Sequence, residues 1–158
     1  MTDRKTDIVQ QLDQSRQTVK SVLDRLQPAD WETPIQDGDQ RWSARAMLVH
    51  MVDAQRGMTN QLSKIAAGED VIPPDFDLSR WNRRQVEKNA DKTVPELLAA
   101  LDEGRVTLKK AIEGLSDADL DKKGRHSSLE IMTVEQIARL IGTHEAEHAQ
   151  IIARKLGL

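Results

Sequence analysis

The densest potential chemistry in the chain lies near its C-terminus, in Thr143-His144-Glu145-Ala146-Glu147-His148-Ala149-Gln150. Two histidines four residues apart on a helix stand one turn above the other, about 40° apart around the axis. Both imidazoles then share one strip, close enough to hold a single metal ion. With His144 placed at 0°, Ile137, Ile141, Ile151 and Ile152 fall within about 80° of it, so the strip faces the apolar side of its helix. His50 has the same disposition on an earlier segment, where Met47, Ala54, Gly57, Met58, Gln61 and Ile65 lie within about 80° of it. Each buried ring nitrogen needs a partner. Periodicity leaves two answers open: ordinary half-buried histidines bonded to their neighbours, or three imidazoles sharing one metal.

The stretch also reads literally as HExxH, the zinc-protease pattern in which Glu145 would activate a metal-bound water. That reading wants a third ligand further along the chain, yet only ten residues follow His148. It also wants a sheet to hold a peptide, and no convincing strand pattern is present. Glu145 and Glu147 flank the histidine strip. Each could orient a ligand histidine or move a proton, Glu145 being the candidate catalytic residue, or could face water and pair with Arg or Lys. His126, in a polar loop, reads as exposed.

Four amphipathic segments must position these side chains. Residues 4 to 26 carry Ile8, Leu12, Val19, Leu23 and Leu26 at three- and four-residue steps. Pro28 and the run from Pro34 to Asp39 mark a loop, with Trp31 and Trp42 in or beside it, covering one end of the fold or lining a pocket. Ser43 is a good N-cap for a second helix running to about Ala67. Gly68 to Pro74 forms a turn-rich connector. Asp77 or Ser79 then caps a helical segment that either joins the next helix or precedes it. The third long helix opens at the capping box Thr93-Val94-Pro95-Glu96, and the fourth at Thr133-Val134-Glu135-Gln136. The pattern predicts an all-α four-helix bundle in one domain spanning residues 1–158, with connections too long to guarantee simple up-down order.

Composition narrows the function classes. Hydrophobic residues at 38% and charged residues at 31% describe a globular chain rather than a disordered one. No apolar run reaches the roughly 20 residues of a membrane span. The N-terminus lacks a signal-peptide core, so a cytoplasmic location is expected. Basic residues number 23 against 26 acidic ones, without a basic stripe, which argues against a nucleic-acid surface. There is no cysteine, so any metal must be held by nitrogen and oxygen, and any thiol must come from outside.

Arg41-Trp42-Ser43-Ala44-Arg45 before His50, Asp53-Ala54-Gln55-Arg56 after it, and the HxxxH pair on the last helix together resemble the DinB-like superfamily, which includes the thiol-dependent maleylpyruvate isomerase type. The resemblance spans nearly the whole chain. It implies a DinB-type bundle, a homodimer, and a divalent metal, commonly zinc or nickel, held by His50, His144 and His148. It further implies a small-molecule substrate and an S-transferase-type activity with a low-molecular-weight thiol. The alternatives are a metal-dependent hydrolase and a non-catalytic, stress-related bundle that binds a small molecule or partner. Trp81 and Asn82 match a polar-aromatic stretch of the same family, without an assigned role.

Overall fold

A computed structural model describes residues 1–158. The long helices form where the sequence predicts them, each opened by a side-chain cap. Helix α1 spans Asp3–Leu23 behind Thr2, whose hydroxyl accepts from the Lys5 amide. Ser43 caps α2 (Ala44–Ala66) in the same way. Asp77 caps a separate short helix, α3 (Leu78–Lys88), which settles the status of that segment. The capping boxes at Thr93 and Thr133 are both closed, opening α4 (Val94–Glu113) and, after the four-residue α5 (Asp117–Leu120), α6 (Val134–Leu156). Gly157 terminates α6 in the left-handed conformation. No helix is long and apolar enough to cross a membrane.

The bundle core is α1, α2, α4 and α6. Helix α6 packs against α1 on one side and α2 on the other, and α4 packs against α2 and touches α1. Cross-helix pairs fix the directions. Arg4 meets Glu135 and Arg16 meets Glu145, so α1 and α6 run parallel. Arg105 reaches Leu12 while Lys5 reaches Glu113, so α1 and α4 are antiparallel. His50 meets His144, and the later Gln61 lies by Ser127 near the start of α6, so α2 opposes α6. Successive helices α1 and α2 thus occupy opposite corners of the bundle, which is why their connection is long.

The expectation of a chain without strands is corrected by two small antiparallel hairpins, each leading directly into a long helix. Strands β1 (Pro34–Asp37) and β2 (Gln40–Ser43) pair from Pro34↔Ser43 to Asp37↔Gln40. Gly38 has a φ of 57°, which a two-residue hairpin loop requires at its first position. Strands β3 (Lys123–Arg125) and β4 (Ile131–Thr133) pair from Lys123↔Thr133 to Arg125↔Ile131. Strands of three or four residues carry too little alternation to register as a period-two pattern. They persist here because they lie on the bundle, with Ile35 only 1% exposed.

Two apolar clusters fill the interior. One gathers Val19, Trp31, Met47, Leu48, Leu97 and Ile152; the other gathers Leu12, Met58, Leu62, Leu108, Ile112 and Ile137. Between them lies a buried polar group to which every core helix contributes one residue: Arg16, Gln55, Arg105 and Glu145. Arg16 and Arg105 both donate to Glu145 and to Gln55 Oε1, while Gln55 donates to the Leu101 carbonyl at 2.9 Å.

Candidate metal centre

Helix α6 carries His144 and His148 on one strip, and antiparallel α2 brings His50 across from them. The three rings meet edge to face, with centroids 4.3–5.0 Å apart. Their Nε2 atoms converge: His50 to His144 is 3.2 Å, and His148 to His144 is 2.9 Å. Two nitrogens bound to one zinc at about 2.0–2.1 Å lie roughly 2.9–3.4 Å apart, for bond angles between octahedral and tetrahedral. A single imidazole nitrogen offers either one proton or one lone pair, so His144 Nε2 can satisfy only one of its two neighbours. Three lone pairs aimed at a shared cation remove that conflict. The donor set, nitrogen only and all imidazole, suits a borderline divalent ion such as zinc or nickel. The cluster can therefore coordinate a metal.

The surroundings keep these ligands neutral, as metal binding requires. Burial, reinforced by His148, pushes the His50 pKa down to about 3. Burial, then His148 and His50, holds His144 well below its ordinary value. His148 is also lowered by burial, against the opposing pull of Asp37 and Glu147. Trp42 lies over His50 with ring centroids 5.3 Å apart, so the end of β2 that leads into α2 also covers the site. The Asp37 carboxylate, at the tip of the first hairpin, lies 2.9 Å from Nδ1 of His148. It approaches off the N–H axis, and Nδ1 of His148 has no aligned hydrogen bond. The Nδ1 atoms of His50 and His144 likewise have no protein partner.

Glu145 is placed differently from its neighbours. At 1% exposure it faces α1 and α4. Both its oxygens are taken by guanidinium groups, Arg16 Nη2 at 3.0 Å and Arg105 Nη2 at 2.7 Å. The alternative role expected for it, pairing with arginine, is realised in the interior rather than in water. Nothing in this placement supports the proton-moving role. Glu147 is exposed.

His126 is a correction: it is 6% exposed, not a surface residue. The second hairpin turns it inward through a tight loop, with Leu129 at a φ of 74° and the His126 amide donating to the Glu130 carbonyl. The Ser128 amide donates to His126 Nδ1 at 3.1 Å. A backbone N–H can only donate, so the neutral ring carries its proton on Nε2, a buried atom with no protein partner. Burial lowers the pKa of this ring too.

A pocket of about 350 Å³ joins these features, lined in part by His50, His144, His126, Asp53, Trp81 and Asn82. Sequence reasoning singled out Trp81 and Asn82 without a role; the structure places both on the wall that α3 presents to the histidines. Asp53 entered it only within the stretch after His50 and Asp37 only within a loop run, neither as a site residue. Asp53 sits one turn after His50, a spacing that could have marked it, whereas Asp37 is brought in by the unforeseen hairpin. Burial raises the Asp53 pKa, opposed by the hydrogen bond from Trp81 Nε1 at 3.1 Å.

The DinB superfamily model matches residues 11–152. Among solved structures, the chain is similar to YfiT of Bacillus subtilis, a probable metal-dependent hydrolase with an unusual four-helix bundle topology, at a TM-score of 0.75 and 21% identity, covering 99% of this chain and 90% of that one. The colibactin self-resistance protein ClbS, solved with double-stranded DNA, gives a TM-score of 0.75 at 15% identity over 98% of this chain and 96% of that one. The mycothiol-dependent maleylpyruvate isomerase gives 0.78 at 11% identity, over 96% of this chain and 63% of that one. No curated protein matches the sequence.

Proposed function

The chain belongs to the DinB superfamily, and we propose that it is a divalent-metal-dependent enzyme that joins a low-molecular-weight thiol to a small organic substrate. The observation that carries this reading is the convergence of three neutral Nε2 atoms beside a pocket large enough for a small molecule. A divalent ion in that position supplies Lewis acidity, which lowers the pKa of a thiol or water reaching an open position. His50, His144 and His148 are the proposed ligands. Trp42 covers His50, and Asp37 steadies His148 from the rim. His126, whose neutral ring also lines the pocket, is the proposed hydrogen-bond donor to the substrate. The absence of cysteine makes the thiol an external reactant, and the likeness to a mycothiol-dependent enzyme supports thiol transfer as the first chemistry to test. The likeness to YfiT supports hydrolysis as the second. We extend the proposal to a cytoplasmic homodimer; light scattering of the purified protein would check the dimer, and fractionation of cells the location.

The test begins with untagged protein purified without added metal. Metal content is measured for it and for His50→Ala and His148→Ala. About one divalent ion per chain, lost in both variants while the helical circular dichroism persists, is the expected result. The loaded protein is then assayed with small thiols against a chromogenic electrophile, and in parallel for ester hydrolysis. No metal uptake even from supplied zinc or nickel would sink the enzyme reading and leave a helical binding protein.

A further inference from the structure

The pocket that opens on His50 and His144 has a charge pattern that restricts what can fill it. One wall is apolar, from α3 and the loop before it, with Ile72, Pro73 and Phe76 beside Trp81. The Phe76 and Trp81 rings lie 5.9 Å apart, tilted 49° to one another, and form an aromatic corner. The polar part of the lining includes Asn60, Asn82, Ser127 and His126, and His126 offers a neutral N–H. No lysine or arginine lines the pocket. Its one carboxylate is Asp53, held by Trp81.

We infer that this pocket receives the largely apolar body of a substrate whose reactive end meets the three histidines, and that it accepts an uncharged or cationic body while rejecting one that bears a carboxylate, phosphate or sulfate. This rests on the metal-dependent reading above. With the metal already taken by the reactive end, an anionic group on the body would lose hydration with no cationic side chain to replace it, and would face Asp53. A neutral aromatic or aliphatic body loses nothing comparable and gains the Phe76–Trp81 surface. A cation gains Asp53 and the aromatic faces together.

The experiment uses zinc-loaded full-length protein and four hydroxamic acids that share one metal-binding head. Acetohydroxamic acid has no body; phenylacetohydroxamic acid is used plain, with a para-aminomethyl group, and with a para-carboxyl group. Isothermal titration calorimetry should find the plain and aminomethyl probes about tenfold tighter than acetohydroxamic acid, and the carboxyl probe no tighter than it. Asp53→Asn, which keeps an acceptor for Trp81, should remove most of the aminomethyl probe's gain and leave acetohydroxamic acid unchanged. Equal affinity of the carboxyl and plain probes overturns the inference, as does failure of every body to add affinity. If the protein takes up no zinc, the metal reading falls; if zinc is bound but acetohydroxamic acid does not bind, the metal has no open position and the proposed reaction falls. Benzyl alcohol, benzylamine and benzoate titrated into metal-free protein then decide the pocket alone: rejection of benzoate supports the charge preference, and benzoate binding as tightly as the others overturns it.

Discussion

Replacing Glu145 by Ala tests the charge pairing in which the structure places it. In the structure it is the only carboxylate that Arg105 has, at 2.7 Å, and Arg105 is itself 5% exposed. Arg16 also reaches Asp102, but that side chain is 65% exposed and lies at the surface. Burial pushes the Arg105 pKa below its ordinary value, with the charge of Glu145 the largest influence holding it up. Removing Glu145 therefore leaves one guanidinium buried with no carboxylate bonded to it, only the weaker influence of Asp13, and a second poorly compensated. One-sided loss of a buried pair costs about 3–5 kcal/mol, a large part of the roughly 5–15 kcal/mol that stabilises a domain. At about 2–4 °C per kcal/mol for a chain of this size, the melting temperature should fall by roughly 6–20 °C. Glu145→Gln keeps the volume and one acceptor and should fall between the variant and the parent. Thermal and urea unfolding of metal-free protein, followed at 222 nm, reads both. A proton-moving Glu145 would scarcely alter unfolding. Midpoints within about 2 °C of the parent would refute the charge-pairing argument.

Other expectations follow from the same geometry. Metal-free protein should lose stability as pH falls below about 6.5, because unfolded histidines take up protons there while His50 in the fold does so only at about 3. Between pH 6.5 and 5 that residue alone accounts for roughly 2 kcal/mol; urea melts should show it, with a shallower slope in His50→Ala, and a flat profile would contradict it. Asp37→Asn removes the carboxylate beside His148 and should weaken zinc binding about tenfold in a competition titration with little change in apo stability; unchanged affinity would deny Asp37 any part in the centre. Gly104→Ala puts a methyl group where the Gln55 amide lies, so it should destabilise by about 1–3 kcal/mol, whereas Gly114→Ala meets only ordinary contacts and should be near neutral. Equal melting temperatures for the two would mean that Gln55 has room to move.

What could be read in advance divides along physical lines. The long helices and their starts were legible because caps at Ser43, Thr93 and Thr133 and stripes such as Leu97, Leu101 and Leu108 are local signals. So was the inward face of His50, His144 and His148. The hairpins were not, since three or four residues give no period, and with them went Asp37 and His126, loop residues whose direction depends on hairpin pairing. The buried polar group left a signal that was passed over. Arg16 stands between Leu12 and Val19, Arg105 between Leu101 and Leu108, and Gln55 between Met51 and Met58, each at the apolar phase of its helix. Long polar side chains on three core stripes require a common partner in the interior, and Glu145, 1% exposed, is the carboxylate that meets both arginines.

Helix α6 thus carries two functions on adjacent residues, about 100° apart around its axis: His144 toward α2 and the pocket, Glu145 toward α1 and α4. Apolar side chains alone fix helix rotation weakly, since aliphatic contacts tolerate repacking. Charge pairing that ties Glu145 to α1 and α4, and through both arginines to Gln55 on α2, does not, because a small rotation of α6 would strip Glu145 of its partners. We therefore expect the polar group to hold the histidines in register as well as to fill space. The variant Arg16→Met, Gln55→Leu, Arg105→Met, Glu145→Leu tests this, since replacing a whole buried ion network by apolar residues of similar size is often neutral or stabilising. It should melt at or above the parent's temperature. Its zinc affinity should nevertheless drop by about tenfold or more, as the Nε2 atoms lose their fixed convergence. Parent-like affinity in a well-folded quadruple variant would show that apolar packing alone sets the rotation of α6, and that the charges serve stability only.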